Sequence, residues 1–247
     1  MTKNKFFLGM LAIALTFGMM ALGCDTGGGG DTGITYTVVA PGGPTQPGSN
    51  IELRGQVWTH VGFSNYTEFT GNRDIEGFIL GSSPNFDPML AGTGAITNGQ
   101  LSFRMGTPSL LLPVADIIAV FAPGAVATPA DARGNLLFLN TAGGETLTKE
   151  NPIAFTSGVS SIRDFIGFFY ASQSGNFSHP GGFSSQYFPA SGRTVNVTME
   201  PFSINMQAGW NILREHERRY FTSLTVHDVI VSFSLGNPAN AKWMLDR

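Results

Sequence analysis

From residue 34 onward the sequence repeats short segments in which apolar and polar side chains alternate, separated by turns rich in glycine and proline. The clearest turn is Asn98-Gly99, because both central residues of a type I′ hairpin turn need positive φ. In the segment that follows, Leu101, Phe103 and Met105 share one face. Many short strands without a long amphipathic helix predict an all-β fold, either a sandwich or a barrel, and we interpret it as an antiparallel β-sandwich.

Further strands are expected wherever the same two-residue period recurs. These segments are 34–40, 51–58, 74–80, 136–139, 161–171, 193–200, 202–206, 209–213, 221–235 and 242–246. Val114–Phe121 is apolar on every face and is predicted as a buried strand, with a helix as the alternative. Pro129–Gly134 is expected to form one helical turn, Gln173–Gly192 a loop, and Arg214–Arg219 the charged tip of a hairpin.

Composition argues against several classes of protein. Charged residues make up 13% of the 247 residues, about half of the usual ~25%, and 32 residues are glycine. A disordered chain or a coiled coil would contain a larger fraction of charged residues. Lys and Arg number 14 against 17 Asp and Glu. Because no basic surface is available to neutralise phosphates, nucleic acid is not an expected partner.

The N-terminus has the pattern of a secretory signal. Two lysines within Met1–Lys5 precede the uncharged, largely apolar segment Phe6–Met20, and small residues stand just before Cys24. The apolar segment is shorter than the ~20 residues that span a bilayer, so a permanent membrane helix is the weaker alternative. Cys24 is the only cysteine in the sequence. A single cysteine in an exported chain has no internal disulfide partner and therefore suggests another use.

Ala21-Leu22-Gly23-Cys24 resembles the lipobox of bacterial lipoproteins, in the relaxed form typical of spirochaetes. The resemblance implies that residues 1–23 are a signal peptide, that cleavage follows Gly23, and that Cys24 carries diacylglycerol and usually an N-acyl chain. Two or more buried acyl chains hold a protein stably on a membrane. Residues 24–33 contain five glycines and are expected to be a flexible tether. The expected location is the bacterial cell envelope, on the periplasmic face or the cell surface.

Two further resemblances concern the exported region. Gly209-Trp210-Asn211 and Lys242–Leu245 resemble segments of uncharacterised spirochaetal lipoproteins of the treponeme type, a likeness that implies no activity. Leu53–Val57, followed later by Asn98–Phe103, resembles transthyretin-like or carboxypeptidase-regulatory-like β-sandwiches. Residues 34–247 are long enough for one β-rich domain or for two halves, 34–150 and 151–247.

No catalytic, cofactor-binding or metal-binding motif is recognised. The four histidines are His60, His179, His216 and His227, and none has metal-ligand spacing to another ligand residue. In Glu215-His216-Glu217 a strand would point the two carboxylates to one face and the imidazole to the other, so the three do not converge on a metal ion. A solvated hairpin tip is expected instead. The sequence holds no Gly-x-Ser-x-Gly motif. A Ser-His-Asp triad assembled in space stays open as an alternative, without support from any motif.

Aromatic residues concentrate in the second half of the chain. Four of them are candidate ligand contacts, as an exposed platform for a glycan or a protein: Phe177, Phe183, Tyr187 and Phe188. The alternative is that they form a lid over the core. Trp210 and Trp243 are expected to be buried on strands, whereas Trp58 is expected to face outward.

The function predicted from the sequence is a membrane-anchored lipoprotein that acts as a non-catalytic binding or structural module of the cell envelope. The alternative is a cell-envelope hydrolase whose site is assembled in space. The two differ in one structural respect: a hydrolase requires a cleft in which a histidine and carboxylates converge.

Overall fold

The computed structural model describes residues 37–38, 50–61, 65–82, 85–156, 160–188, 193–221, 226–237 and 241–246. Strands account for most of these residues, and the part of the chain described contains one short helix. The all-β prediction is therefore confirmed. The predicted sandwich is not confirmed, because the principal sheet closes on itself. In the ranges described, no helix is long and apolar enough to cross a membrane.

The helix, α1, spans Val114–Phe121. The strands in chain order are β1 Thr37–Val38, β2 Ile51–His60, β3 Tyr66–Glu68, β4 Arg73–Leu80, β5 Pro88–Thr97, β6 Gln100–Met105, β7 Leu112–Pro113, β8 Val126–Thr128, β9 Arg133–Thr141, β10 Thr146–Thr156, β11 Ser160–Ala171, β12 Gly175–His179, β13 Gly182–Phe188, β14 Arg193–Met199, β15 Phe202–Met206, β16 Gly209–Phe221, β17 Val226–Leu235 and β18 Lys242–Asp246.

Eight strands form a closed barrel in the order β9, β4, β5, β6, β2, β18, β10 and β11. Closure occurs because β11 pairs with β10 along its first half and with β9 along its last four residues. An eight-stranded barrel is just wide enough for side chains to fill its interior. The interior is accordingly apolar and includes Phe103, Phe168 and Trp243. Strands from both sides of residue 150 build this one barrel.

The barrel sheet continues from β11 through β16, β17 and β14 to β13. The expectation of a charged hairpin tip at Arg214–Arg219 is wrong. Those six residues lie within β16, which is thirteen residues long and pairs with β11 on one side and β17 on the other. The three arginines of this segment are accommodated because each is paired with a carboxylate: Arg214 with Asp164, Arg218 with Glu200 and Arg219 with Glu217.

A second sheet of three strands, β15, β12 and β8, forms a second core together with α1. The predicted loop Gln173–Gly192 is wrong, because it contains the strands β12 and β13. The preferred strand at Val114–Phe121 is also wrong. Val114, Ile117 and Ile118 are buried at the spacing of one helical face. The helical turn expected at Pro129–Gly134 is absent from this described segment, which instead turns directly into β9.

The hairpin between β5 and β6 is confirmed. Asn98 and Gly99 have φ angles of 50° and 79°, which are those of a type I′ turn. The three side chains predicted to share a face on β6 are all buried in the barrel.

We expect Asn98→Val to lower the free energy of unfolding by about 1 kcal/mol or more, because a β-branched residue resists positive φ. The measurement is chemical denaturation of the wild type and the variant. Thr97→Val, at the exposed neighbouring strand position, is the matched control and should change stability little. Equal stability of the two variants would contradict the turn assignment.

The tryptophans lie as the sequence predicts. Trp210 and Trp243 are buried in the barrel core, close to Ile212 and Leu245 respectively. Trp58 is only half-buried and lies on the outer face, where the Lys242 ammonium is 3.7 Å from its ring centre.

Candidate functional site

The predicted site residues fall in different places. Cys24, the predicted lipidation site, lies outside the residues that the structure describes, and so does the side chain of Tyr187, a predicted ligand contact. Phe183 is 69% exposed, whereas Phe188 is half-buried against a small valine cluster. Phe177 is only 6% exposed and packs 4.9 Å from the Phe202 ring in the second core. Phe177 is therefore a core residue, because β12 turns its ring towards α1 and β15.

The exposed Phe183 belongs to one face of the strands β16, β17, β14 and β13, which we call the polar sheet face. Residues paired across neighbouring strands share a face, so the register defines its rows. One row contains Arg218, Ile230, Thr198 and Phe183; the next contains Tyr220, Asp228, Asn196 and Ser185. Tyr220 is 39% exposed. The face thus presents two exposed rings with polar side chains between them.

Hydrogen bonds fix these polar side chains. Nδ2 of Asn196 donates to Oδ1 of Asp228 at 2.8 Å, and the Ser185 hydroxyl donates to Oδ1 of Asn196 at 2.8 Å. In the adjacent row the Arg218 guanidinium donates to the Glu200 carboxylate. Side chains held in this way are oriented before any ligand arrives, which lowers the entropy cost of binding.

Where the polar sheet face meets the barrel, a buried carboxylate is paired with a histidine. Asp164 is 1% exposed and accepts hydrogen bonds from Nε and Nη2 of Arg214 at 2.7 and 3.0 Å. Its Oδ1 atom also lies 2.7 Å from Nδ1 of His216. The register places Ser232 directly opposite His216. Within the residues described, no hydrogen bond joins Ser232 to His216.

The opposite face of the same strands carries a buried layer of charges. Nε of Arg163 donates to Oε2 of Glu150 at 2.8 Å, and Nη2 of Arg219 donates to Oε2 of Glu217 at 3.0 Å. All four residues are buried. The prediction of a solvated tip around Glu215-His216-Glu217 is therefore wrong, since Glu217 is inside the protein and His216 contacts Asp164.

Burial raises the pKa of Glu215, in this charged layer, to about 7, and the nearby Glu217 carboxylate adds to the rise. The Arg219 and Arg163 guanidiniums partly oppose this shift. Burial also lowers the pKa of His227, and the positive charges of Arg193 and Arg219 lower it further. Both groups therefore favour their neutral forms in the folded protein.

We expect stability to fall as pH rises from about 4.5 to about 7, because folded Glu215 keeps its proton over this window and unfolded Glu215 does not. Glu215→Gln should remove this fall and should be more stable than the wild type at about pH 8. Urea denaturation at about pH 5 and about pH 8 measures it. Glu68→Gln, at an exposed position of β3, is the control. An unchanged pH dependence in Glu215→Gln would contradict the assignment.

On the described part of the barrel, a groove of about 310 Å³ lies between β4 and β9. Two cross-strand pairs line it, Phe78 with Phe138 and Glu76 with Asn140. No histidine lines the groove, so the histidine–carboxylate pair at Asp164 lies elsewhere.

The polar sheet face was missed by the sequence analysis except for Phe183, because each of its rows combines one residue from each of four strands. In the ranges described, no three histidine, cysteine, aspartate or glutamate side chains are grouped as metal ligands. The chain matches no protein-family model, no curated protein and no solved structure.

Proposed function

We propose that this protein is a lipid-anchored, non-catalytic glycan-binding module of a bacterial cell envelope. The observation that carries the proposal is the polar sheet face, on which Phe183 and Tyr220 flank the hydrogen-bonded row of Ser185, Asn196 and Asp228. Aromatic rings stack on the apolar faces of sugars, and amide and carboxylate groups bind sugar hydroxyls.

The dimensions of this face fit an extended ligand. Phe183 and Tyr220 are separated by three strand spacings and one row, a distance of about 16 Å by standard strand geometry. That length accommodates several sugar units. The barrel interior offers no comparable space, because its own side chains fill it.

Binding is tested with purified full-length protein on a glycan array, followed by titration of the best glycan. We expect Phe183→Ala and Asn196→Ala each to weaken binding about tenfold, or by about 1.4 kcal/mol. Leu90→Ala is the control, since Leu90 is an exposed apolar residue on β5, outside this face. Unchanged affinity in both variants, or no glycan bound at all, would count against the proposal.

The anchoring part of the proposal depends on Cys24 and on the lipobox-like residues before it. We expect wild-type cells to incorporate labelled palmitate into the protein and Cys24→Ala to incorporate none, because the thiol is the site of acylation. The mature wild-type protein should also lack residues 1–23 by mass spectrometry. Equal labelling of the two proteins would exclude this anchor.

One observation favours a second candidate, a cell-envelope esterase. Asp164, His216 and Ser232 occupy directly paired positions on three neighbouring strands, and the first two are in contact. In such a mechanism the Ser232 hydroxyl attacks an ester carbonyl and its proton passes to Nε2 of His216, which then protonates the leaving alcohol. Water would later hydrolyse the acyl-enzyme.

A fluorophosphonate probe tests this second candidate. The esterase predicts a covalent adduct on Ser232 that disappears in Ser232→Ala and persists in Ser234→Ala, the neighbouring serine on the same face. The absence of any adduct on Ser232 would exclude the esterase and would leave the binding module standing.

A further inference from the structure

The strand β13 forms an open edge of the principal sheet. It pairs with β14 at seven consecutive positions without a register shift. In the part of the chain described here, no strand pairs along its other edge. The outward-pointing N–H and C=O groups of such an edge are a template for another strand.

The sequence of β13 carries none of the features that normally block edge pairing. Gly182–Phe188 contains no charged residue and no proline. The strand at the opposite end of the same sheet, β7, has only two residues and one of them is Pro113. Short length and proline are both protective features of edge strands. The contrast indicates that one end of the sheet is blocked and the other is open.

The β13 edge is also complementary to itself. An antiparallel pair of β13 strands centred on Ser185, the middle residue of β13, matches all seven residues of one strand with the seven of the other. The edge of one copy therefore fits the edge of a second copy over its whole length. No like charges meet at the two-fold axis, because the strand has none.

We infer that the protein forms a two-fold symmetric dimer through antiparallel pairing of its β13 edges. A strand-to-strand contact alone buries less than the ~1,200 Å² of most stable interfaces. The dimer is therefore concentration-dependent in solution. In the dimer the polar sheet faces of the two subunits join into one continuous face, so this inference extends the proposed function without depending on it.

Cysteine cross-linking tests the register directly. In a full-length chain carrying Cys24→Ala, Ser185→Cys is the only thiol, and it lies on the two-fold axis. Opposed Cα atoms in an antiparallel pair are about 4.5–5.5 Å apart, within the range that a disulfide bridges. Ser184→Cys in the same background is the matched control, because its two Cα atoms would be about 8 Å apart, beyond disulfide reach. We expect rapid oxidation of Ser185→Cys to a covalent dimer and little of Ser184→Cys.

A second variant separates pairing from an artefact of the thiol. Ser185→Lys places two ammonium groups at the two-fold axis. In sedimentation velocity runs, this variant should stay a monomer at protein concentrations at which the wild type associates. Circular dichroism confirms that the variant folds. Equal cross-linking of the two cysteine variants, or a wild-type sedimentation coefficient independent of concentration, would overturn the inference.

Discussion

Replacing Trp243 with alanine is expected to lower the free energy of unfolding by about 3–5 kcal/mol, the cost of removing a large aromatic side chain from a packed core. Trp243 is 0% exposed, and its ring lies 5.8 Å from that of Phe168. Its Nε1–H donates to the Arg54 carbonyl at 3.0 Å, a bond between β18 and β2. The variant therefore loses core volume and removes the donor of this hydrogen bond to the Arg54 carbonyl. Chemical denaturation with a cooperative transition measures the loss.

Trp58→Ala is the matched control, because it removes the same side chain from the outer face of the neighbouring strand β2. The control should cost far less, since Trp58 is half-buried and its main described contact is with the Lys242 ammonium. Trp210→Ala, also in the barrel core, should resemble Trp243→Ala. If Trp58→Ala were the most damaging of the three, the inner and outer faces of β2 would be exchanged.

Replacing Arg163 with methionine is expected to cost about 3–5 kcal/mol, because it leaves a buried carboxylate without its principal counter-charge. Arg163 and Glu150 are both buried, and two guanidinium nitrogens bind the same carboxylate oxygen. The Arg163 guanidinium also lies 4.1 Å from the Phe165 ring centre. Thermal and chemical denaturation of the single variant should both show the loss.

Two further variants identify the source of that loss. The double variant Arg163→Met with Glu150→Leu should recover much of the stability, since an apolar pair of similar volume can replace a buried ion pair. Arg54→Met breaks an exposed pair with Glu52 and should cost less than about 1 kcal/mol. A small effect of Arg163→Met alone would show that water reaches the Glu150 carboxylate.

The features that sequence analysis predicted correctly are local. The Asn98-Gly99 turn is specified by two adjacent residues, and the alternation of Leu101, Phe103 and Met105 is specified by the pleat of one strand. Short range also explains why the outward direction of Trp58 on β2 was predicted correctly. Each of these patterns is stabilised by burial on one side of a single strand.

The charged run Arg214–Arg219 was misassigned because two of its arginines have partners outside the run. Asp164 binds Arg214, and Glu200 binds Arg218, and only the fold brings these residues together. A run of charges that ends a strand when exposed to water can continue it when each charge has a counter-charge. The same reasoning explains why no motif revealed the polar sheet face.

Gln173–Gly192 and Val114–Phe121 were misassigned for a different reason. Serine and glycine are weak strand formers, so β12 and β13 depend on pairing with β15, β8 and β14 rather than on their own composition. A short apolar segment fits a buried strand and a buried helix equally well. Val114–Phe121 is a helix because one helical face of this segment packs into the second core.

The position of β18 determines when the barrel can be completed. Trp243 pairs with Val57, 186 residues earlier in the sequence, and β18 lies between β2 and β10. The barrel cannot close until β18 inserts between these two strands. Pairing over so long a sequence separation is slow. Until that pairing forms, the core strands lie in an unclosed sheet, the state in which this chain is most exposed to aggregation.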